Sequence, residues 1–307
     1  MTIAVGFTCN DGLVLAADSQ ISDDTLRFDG DKAWMYRYPP EAESPPLKVG
    51  VVGSGDLAFV RYAAERINYE LRADMGKDEV QSIVQGVIND IHLNHLYPYP
   101  DAGTRPEVSL ILGVLAHDGR RLMTTNLTTV TKVWNFEAVG SGSPLANFLI
   151  KRFYSGRLDV SAAAFLSAQV LMHVKRNVLR CGGRSRVLVM YHVNATAGFL
   201  QDKTVQEYEA YSERFDAAMR PVLFAGHDRT IGDDDYATKV ERMTADLRTL
   251  RPMQIQQAEN VVKSVVISPP TGHVSVVGEW ISAVIKDGIG QGNTPIVLRD
   301  SAKQEED

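Results

Sequence analysis

A chain of 307 residues with 44% hydrophobic and 23% charged residues and a formal net charge of -6 has material for one large domain or two and for an ample core. The acidic balance, with no basic block to meet phosphates, argues against a nucleic-acid partner, and two cysteines, Cys9 and Cys181, are too few for a secreted disulfide framework and read as free thiols. The N-terminus carries no basic region followed by an apolar run, and no stretch reaches the length of a membrane span, so a cytoplasmic protein without a membrane partner is expected.

Residues 2–9 and 13–18 form two short β-rich runs, apolar on both faces as expected of strands sandwiched between layers. Asn10-Asp11-Gly12 between them is a hairpin signal. With Gly12 in the left-handed position of a three-residue loop, Cys9 and Leu13 flank the turn and Asp18 sits opposite Ala4. Thr2 and Ala4 share a face, which makes Asp18 a diagonal neighbour of Thr2, roughly 7–8 Å away between Cα atoms.

A polar stretch from Asp23 to Lys32 leads to a strand at Trp34–Tyr38. Pro39 to Pro46 is predicted to be an exposed loop, because proline cannot serve a central ladder. A strand resumes at Leu47–Val52. Helical spacing then follows in Leu57, Val60, Ala64, Ile67 and Leu71, and again from Val80 to Ile91. Strands are predicted near Val108–Leu115, Leu122–Asn126 and Val133–Val139, a second helix pair over 145–153 and 160–174, and a closing strand at Val187–Tyr191. Beyond residue 200, helices are read over 205–223, 235–250 and 253–263, strands at 265–267 and 274–277, and a frayed end over 303–307. Strands in blocks separated by helix pairs argue for an α+β fold of stacked antiparallel sheets covered by helices.

Thr2 carries the chemistry. Once Met1 is removed, as its small neighbour permits, Thr2 holds a hydroxyl and a free α-amine of ordinary pKa roughly 7.7–8.0, so nucleophile and base share one residue. On position alone, a threonine there simply opens a strand.

Four motifs in order add to this. The Thr-x-x-Val-Gly pattern from Thr2, the Asp11-Gly12 turn and Leu15–Ser19 resemble the start of a mature proteasome β-subunit, or of the peptidase subunit of the related bacterial two-component protease. Lys48–Asp56 resembles the strand and Gly-Asp turn before the first helix of that family, and Ala138–Pro144 is similar to its Gly-Ser-Gly turn. The likeness covers roughly residues 2–195. The stand-alone bacterial ancestral β-subunits are a neighbouring group.

The resemblance implies a four-layer αββα sandwich of the N-terminal-nucleophile hydrolase type over residues 1–200, with an extra C-terminal α/β extension over 201–307. It implies a threonine peptidase acting on peptides or unfolded proteins, assembled as a homo-oligomeric ring or a related assembly, with an ATPase as a possible partner and no cofactor or metal. Residue by residue, Thr2 matches the nucleophile and Asp18 the acid at the end of the second strand. Lys32, ahead of an aromatic-aliphatic strand, matches the lysine that favours the neutral amine, with Lys48 as rival. Gly53 matches the oxyanion donor and Ser141 the serine near the Thr amine; their plainer readings are a strand-to-helix turn and a helix cap before Pro144.

The family's second acid has no clear counterpart. Asn177 falls nearest, which keeps hydrogen bonding but loses the charge and leaves a catalytically weak or inactive assembly subunit as the alternative function. Gly53-Ser54-Gly55-Asp56-Leu57-Ala58 has the form of a dinucleotide fingerprint but is followed by a second helix instead of a strand ending in an acid. His92 and His95 lie three apart on a helix and could touch one metal ion, with no third ligand evident. Arg176, Arg180, Arg184 and Arg186 read as a subunit or solvent face.

Overall fold

The computed structural model describes residues 2–22, 27–38, 46–99, 101, 103, 105–154, 156, 158–193, 196–260 and 265–266. The first two strands, β1 (Ala4–Thr8) and β2 (Gly12–Asp18), form the hairpin read from the sequence, and every residue of β2 is buried. Its register is one residue from the expected one. Ala4 faces Ala17 and Thr8 faces Leu13, and the Cys9 N–H donates to the Gly12 carbonyl at 2.9 Å, closing a two-residue turn.

The reason is tertiary. Gly12 is not among the glycines with positive φ; a Cβ on it would lie 2.1 Å from the Met190 carbonyl oxygen of a neighbouring strand. The glycine therefore serves close strand approach, and Asp11 turns outward to accept from the Val160 N–H at 2.8 Å. Gly12→Ala is expected to lower stability by about 1–3 kcal/mol, read by urea denaturation.

Further strands are β3 (Gln20–Ser22), β4 (Arg27–Asp29), β5 (Ala33–Arg37) and β6 (Lys48–Gly55). Helices α1 (Leu57–Glu70) and α2 (Lys77–Ile91) follow, α1 capped by Asp56, whose carboxylate accepts from the Ala58 N–H at 2.9 Å. Next come β7 (Val108–Ala116), β8 (Gly119–Asn126), β9 (Thr129–Val133) and β10 (Phe136–Val139), then α3 (Ser143–Phe153), α4 (Val160–Asn177), β11 (Ser185–Tyr191) and β12 (Ala197–Leu200). Helices α5 (Asp202–Ala225) and α6 (Asp233–Asn260) and the short β13 (Val265–Val266) complete the described chain.

Among the described residues, one antiparallel sheet has the order β10-β1-β2-β11-β12-β13, a second has the order β5-β6-β7-β8-β9, and β3 and β4 pair as a two-stranded ribbon. Alternation along β1 and β2 sorts their side chains between two cores. Ala4, Leu13, Leu15 and Ala17 meet Val52, Ile111 and Leu122 between the sheets. Ile3, Val5, Phe7, Val14 and Ala16 pack beneath α3 and α4, and a third core lies between the second sheet and α1 and α2. The result is the αββα sandwich, with each large core side chain contributing about 1.5–3 kcal/mol by burial.

Several sequence readings change. The single strand expected over Val133–Val139 is two, because the chain crosses from one sheet to the other at Trp134-Asn135, where the Thr8 N–H takes the Asn135 carbonyl at 2.7 Å. The polar stretch ahead of Lys32 contains β4, which pairs antiparallel with β3 just before that stretch, and β12 follows the strand read as closing. The helices expected over 235–250 and 253–263 merge into the single helix α6 as far as Asn260, and 261–263 lie outside the described residues. The loop residues 39–45, most of the 265–267 strand's surroundings, the strand expected at 274–277 and the end at 303–307 lie outside the described residues.

The arginine cluster stays on the surface, with Arg176, Arg180 and Arg184 exposed, and three of its four members meet acids spaced along α5. Arg176 bonds to Glu213, while Arg184 and Arg186 each lie 3.5 Å from Asp202; Lys175 adds a 2.7 Å contact to Glu209. Tyr208 of α5 is buried edge-on against Phe165 of α4, ring centres 5.5 Å apart.

Candidate active site

Thr2 precedes β1, Asp18 ends β2 and Lys32 immediately precedes β5, so three strand ends converge. All three are buried, with exposures of 1, 1 and 6%. The Thr2 hydroxyl donates to Asp18 Oδ1 and accepts from Lys32 Nζ. Lys32 Nζ lies 3.0 Å from Asp18 Oδ1 and also donates to the Gln20 carbonyl. Asp18 is held further by the Ile3 N–H at 3.2 Å and, through Oδ2, by the Gly182 N–H at 2.9 Å. The one-residue register change leaves this meeting intact, because Asp18 now faces Ile3 and its N–H donates to the Ile3 carbonyl at 3.2 Å.

Burial pushes the Asp18 carboxyl up and the Lys32 ammonium down, while their mutual attraction and the Gly182 and Ile3 N–H bonds oppose the Asp18 shift. A raised carboxyl pKa means that Asp18 contributes stability fully below its unfolded value of roughly 3.9, and that this contribution is lost as pH rises through the folded value. The stability advantage of the wild type over Asp18→Asn is therefore expected to shrink as pH rises above about 4 in urea denaturation; an advantage that grows would show the pull of Lys32 outweighing burial.

Lys48 lies at the far end of β6, where Arg37 faces it, and burial with that neighbouring cation pushes it down to about 8. Five residues of strand, roughly 17 Å, separate it from Gly53. It is not part of the cluster.

Gly53 lies beside the cluster, but its N–H donates to the Lys32 carbonyl at 3.0 Å. A Cβ there would lie 2.2 Å from Val60 and 3.0 Å from Leu110, so its small size serves packing as well. Ser141 Oγ reaches the Thr2 carbonyl at 3.5 Å and Cys181 Sγ at 3.8 Å, and the cap of α3 is Gly142, not Ser141. Asn177 is exposed, and its amide donates to the His173 carbonyl of its own helix at 2.7 Å. The residue that meets Ser141 is thus the buried thiol of Cys181, which burial and Asp18 push up to about 11.

Two contributors were not read from the sequence as site residues. Gly182 supplies the N–H on Asp18. Gly140, at φ 100°, lets the turn before α3 close on Thr2, since a Cβ there would lie 2.2 Å from the Thr2 carbonyl oxygen. Their signal was the glycine pairs, legible as turns but not as contacts.

His92 opens a π-helical turn, His92–Leu96, with its ring edge-on to Tyr97, whereas His95 lies against Phe59 and Tyr62. Among the described residues no group of three His, Cys, Asp or Glu is placed to hold a metal ion. The Gly53–Ala58 segment joins an antiparallel strand to α1, outside the βαβ setting a dinucleotide site requires. A cleft of about 870 Å³ opens beside Lys32 and Gly53, walled by Ile21, Phe28, Val60 and Arg105. Among the described residues no helix is long and apolar enough to cross a membrane.

An αββα sandwich with a threonine at the head of its first strand defines a fold of the N-terminal-nucleophile type. The chain belongs to the proteasome subunit family, whose profile, "Proteasome subunit", matches residues 2–190. Two similar solved structures are of Anbu from Hyphomicrobium sp. strain MC1, a Gly-1 mutant and a second form. Each is 16% identical with TM-score 0.59, and the alignments cover 73% and 72% of this chain and 96% and 97% of theirs. Anbu, the ancestral beta-subunit, from Yersinia bercovieri is 14% identical with TM-score 0.58, over 71% of this chain and 97% of that one. No curated protein matches.

Proposed function

We propose that the chain is a threonine peptidase that uses Thr2 after removal of Met1. The observation that carries the reading is the Thr2 hydroxyl held between a buried carboxylate and a buried ammonium. Thr2 Oγ attacks the peptide carbonyl carbon and its proton passes to the α-amine, whose neutral form the Lys32 charge favours. Collapse of the tetrahedral intermediate breaks the C–N bond, and the leaving amine takes the proton back. Water then hydrolyses the ester and restores Thr2. An oxyanion would gain the Gly53 N–H by displacing the Lys32 carbonyl, and Ser141 would steady the Thr2 backbone.

Substrates on this reading are peptides or unfolded proteins entering the cleft beside Lys32. Family membership supports a homo-oligomeric ring or related assembly, with an ATPase as a possible feeder, and electron microscopy of the purified protein tests the assembly. A catalytically weak or inactive assembly subunit is the second reading, favoured by Asn177, an exposed amide where the family's second acid was expected. Treatment with an epoxyketone or β-lactone probe decides between them: a covalent adduct on Thr2, absent from Thr2→Ala, supports the peptidase, and no adduct supports the subunit.

A further inference from the structure

Helix α5 reaches the back of the active site through one carboxylate. Glu209 Oε1 accepts from Ser185 Oγ at 2.6 Å and from Lys175 Nζ at 2.7 Å, with only 21% of its side chain exposed. Lys175 also donates to the Gly183 carbonyl at 3.2 Å, and Ser185 is the strand partner of Asp18. Between them lies the Gly182-Gly183 turn, whose Gly182 N–H holds Asp18 Oδ2. Beside it the Arg184 N–H donates to Ser19 Oγ at 2.7 Å. Glu209 thus ties α4 and β11 together on either side of the turn that fixes the carboxylate.

We propose that Glu209 is a positioning residue for Asp18, which makes the helix following β12 a working part of the active site; this rests on the peptidase reading above. Without the Glu209 carboxylate, Lys175 loses the anion that aims it at Gly183, and Ser185 loses its acceptor. The turn then keeps the Gln20 N–H on the Gly182 carbonyl and the Arg184 N–H on Ser19 Oγ, but the Gly182 N–H is aimed less tightly at Asp18. Asp18 keeps Lys32 while the second anchor that orients both of its oxygens loosens, and a small misplacement of a catalytic group is costly in rate.

The test compares Glu209→Ala, Glu209→Gln, Lys175→Met and Glu213→Ala with the wild type in the full chain. Glu213 lies one turn further along α5 and pairs with Arg176, away from the turn, so Glu213→Ala controls for loosened helix docking. Two readouts are taken: hydrogen exchange of the peptide covering residues 180–186, and the kinetics of Thr2 labelling by a β-lactone. Glu209→Ala and Lys175→Met are expected to lose protection of that peptide and to label about 10- to 100-fold more slowly at saturating probe, with unchanged half-saturation. Glu209→Gln, which keeps both acceptor bonds, restores most of the rate, and Glu213→Ala stays at the wild-type value.

Wild-type labelling kinetics in folded Glu209→Ala and Lys175→Met overturn the proposal, as does an equal loss in Glu213→Ala. Should Glu209→Ala not fold, Lys175→Met carries the same decision from the opposite side of the turn. A wild type that takes no label overturns the peptidase reading, and this proposal with it; a labelled wild type beside unaltered variants overturns the proposal alone.

Discussion

Thr2→Ala is expected to lose on the order of 10⁴-fold or more of any Thr2-dependent peptidase rate while remaining folded. The loss follows from chemistry, since no other hydroxyl lies between Asp18 and Lys32 among the described residues. Folding survives because the side chains left behind keep each other: Lys32 stays 3.0 Å from Asp18, and the Ile3 and Gly182 N–H groups still bind the carboxylate. The stability cost is then that of the two exchanged hydrogen bonds of the Thr2 hydroxyl, about 1–3 kcal/mol. A calorimetric scan close to the wild type, together with vanished turnover, is the expected pair of results. Turnover that persists in the variant would place the nucleophile elsewhere.

Lys32→Met is expected to act on both activity and stability, and the second effect is the more diagnostic. It removes the cation opposite a carboxylate whose side chain is 0% exposed. Breaking a buried pair from one side leaves an uncompensated charge, at a cost of about 3–5 kcal/mol, whereas removing both charges with side chains of similar shape is often neutral or stabilising. Asp18→Asn in the Lys32→Met background is therefore expected to recover most of the lost stability without recovering activity. The double-mutant cycle in urea denaturation measures this. If the two losses simply add, the ion pair is not the unit described above.

Much of the fold and of the central cluster is legible in the chain. The strands at Thr2–Cys9 and Leu13–Asp18 announce themselves by being apolar on both faces, and the helix pairs by their 3.6-residue spacing. Thr2, Asp18 and Lys32 fall at strand ends that the sequence pattern marks. What is not legible depends on contacts between distant segments. Gly12 looks like a turn glycine, yet its smallness serves the approach of β11. Asp11 looks like a turn aspartate and in fact binds the first N–H of α4. Together they shift the hairpin by one residue.

The same holds for the C-terminal side of the site. Lys175–Gly183 shows an amide where an acid is expected, but nothing local indicates that Asn177 turns back to His173 while Cys181 turns in to Ser141. The arginines of this region become explicable only once α5 brings Asp202, Glu209 and Glu213 alongside. Their spacing of seven and four residues puts the three acids on one helix face, a pattern visible in the sequence only to a reader who already knows the partner.

The most direct measurement is peptide mapping by mass spectrometry of cell-derived protein after treatment with an epoxyketone. The N-terminal peptide is expected to begin at Thr2 and to carry the probe on its hydroxyl and α-amine. A peptide that still begins with Met1, or one that begins at Thr2 and carries no probe, would contradict the peptidase reading.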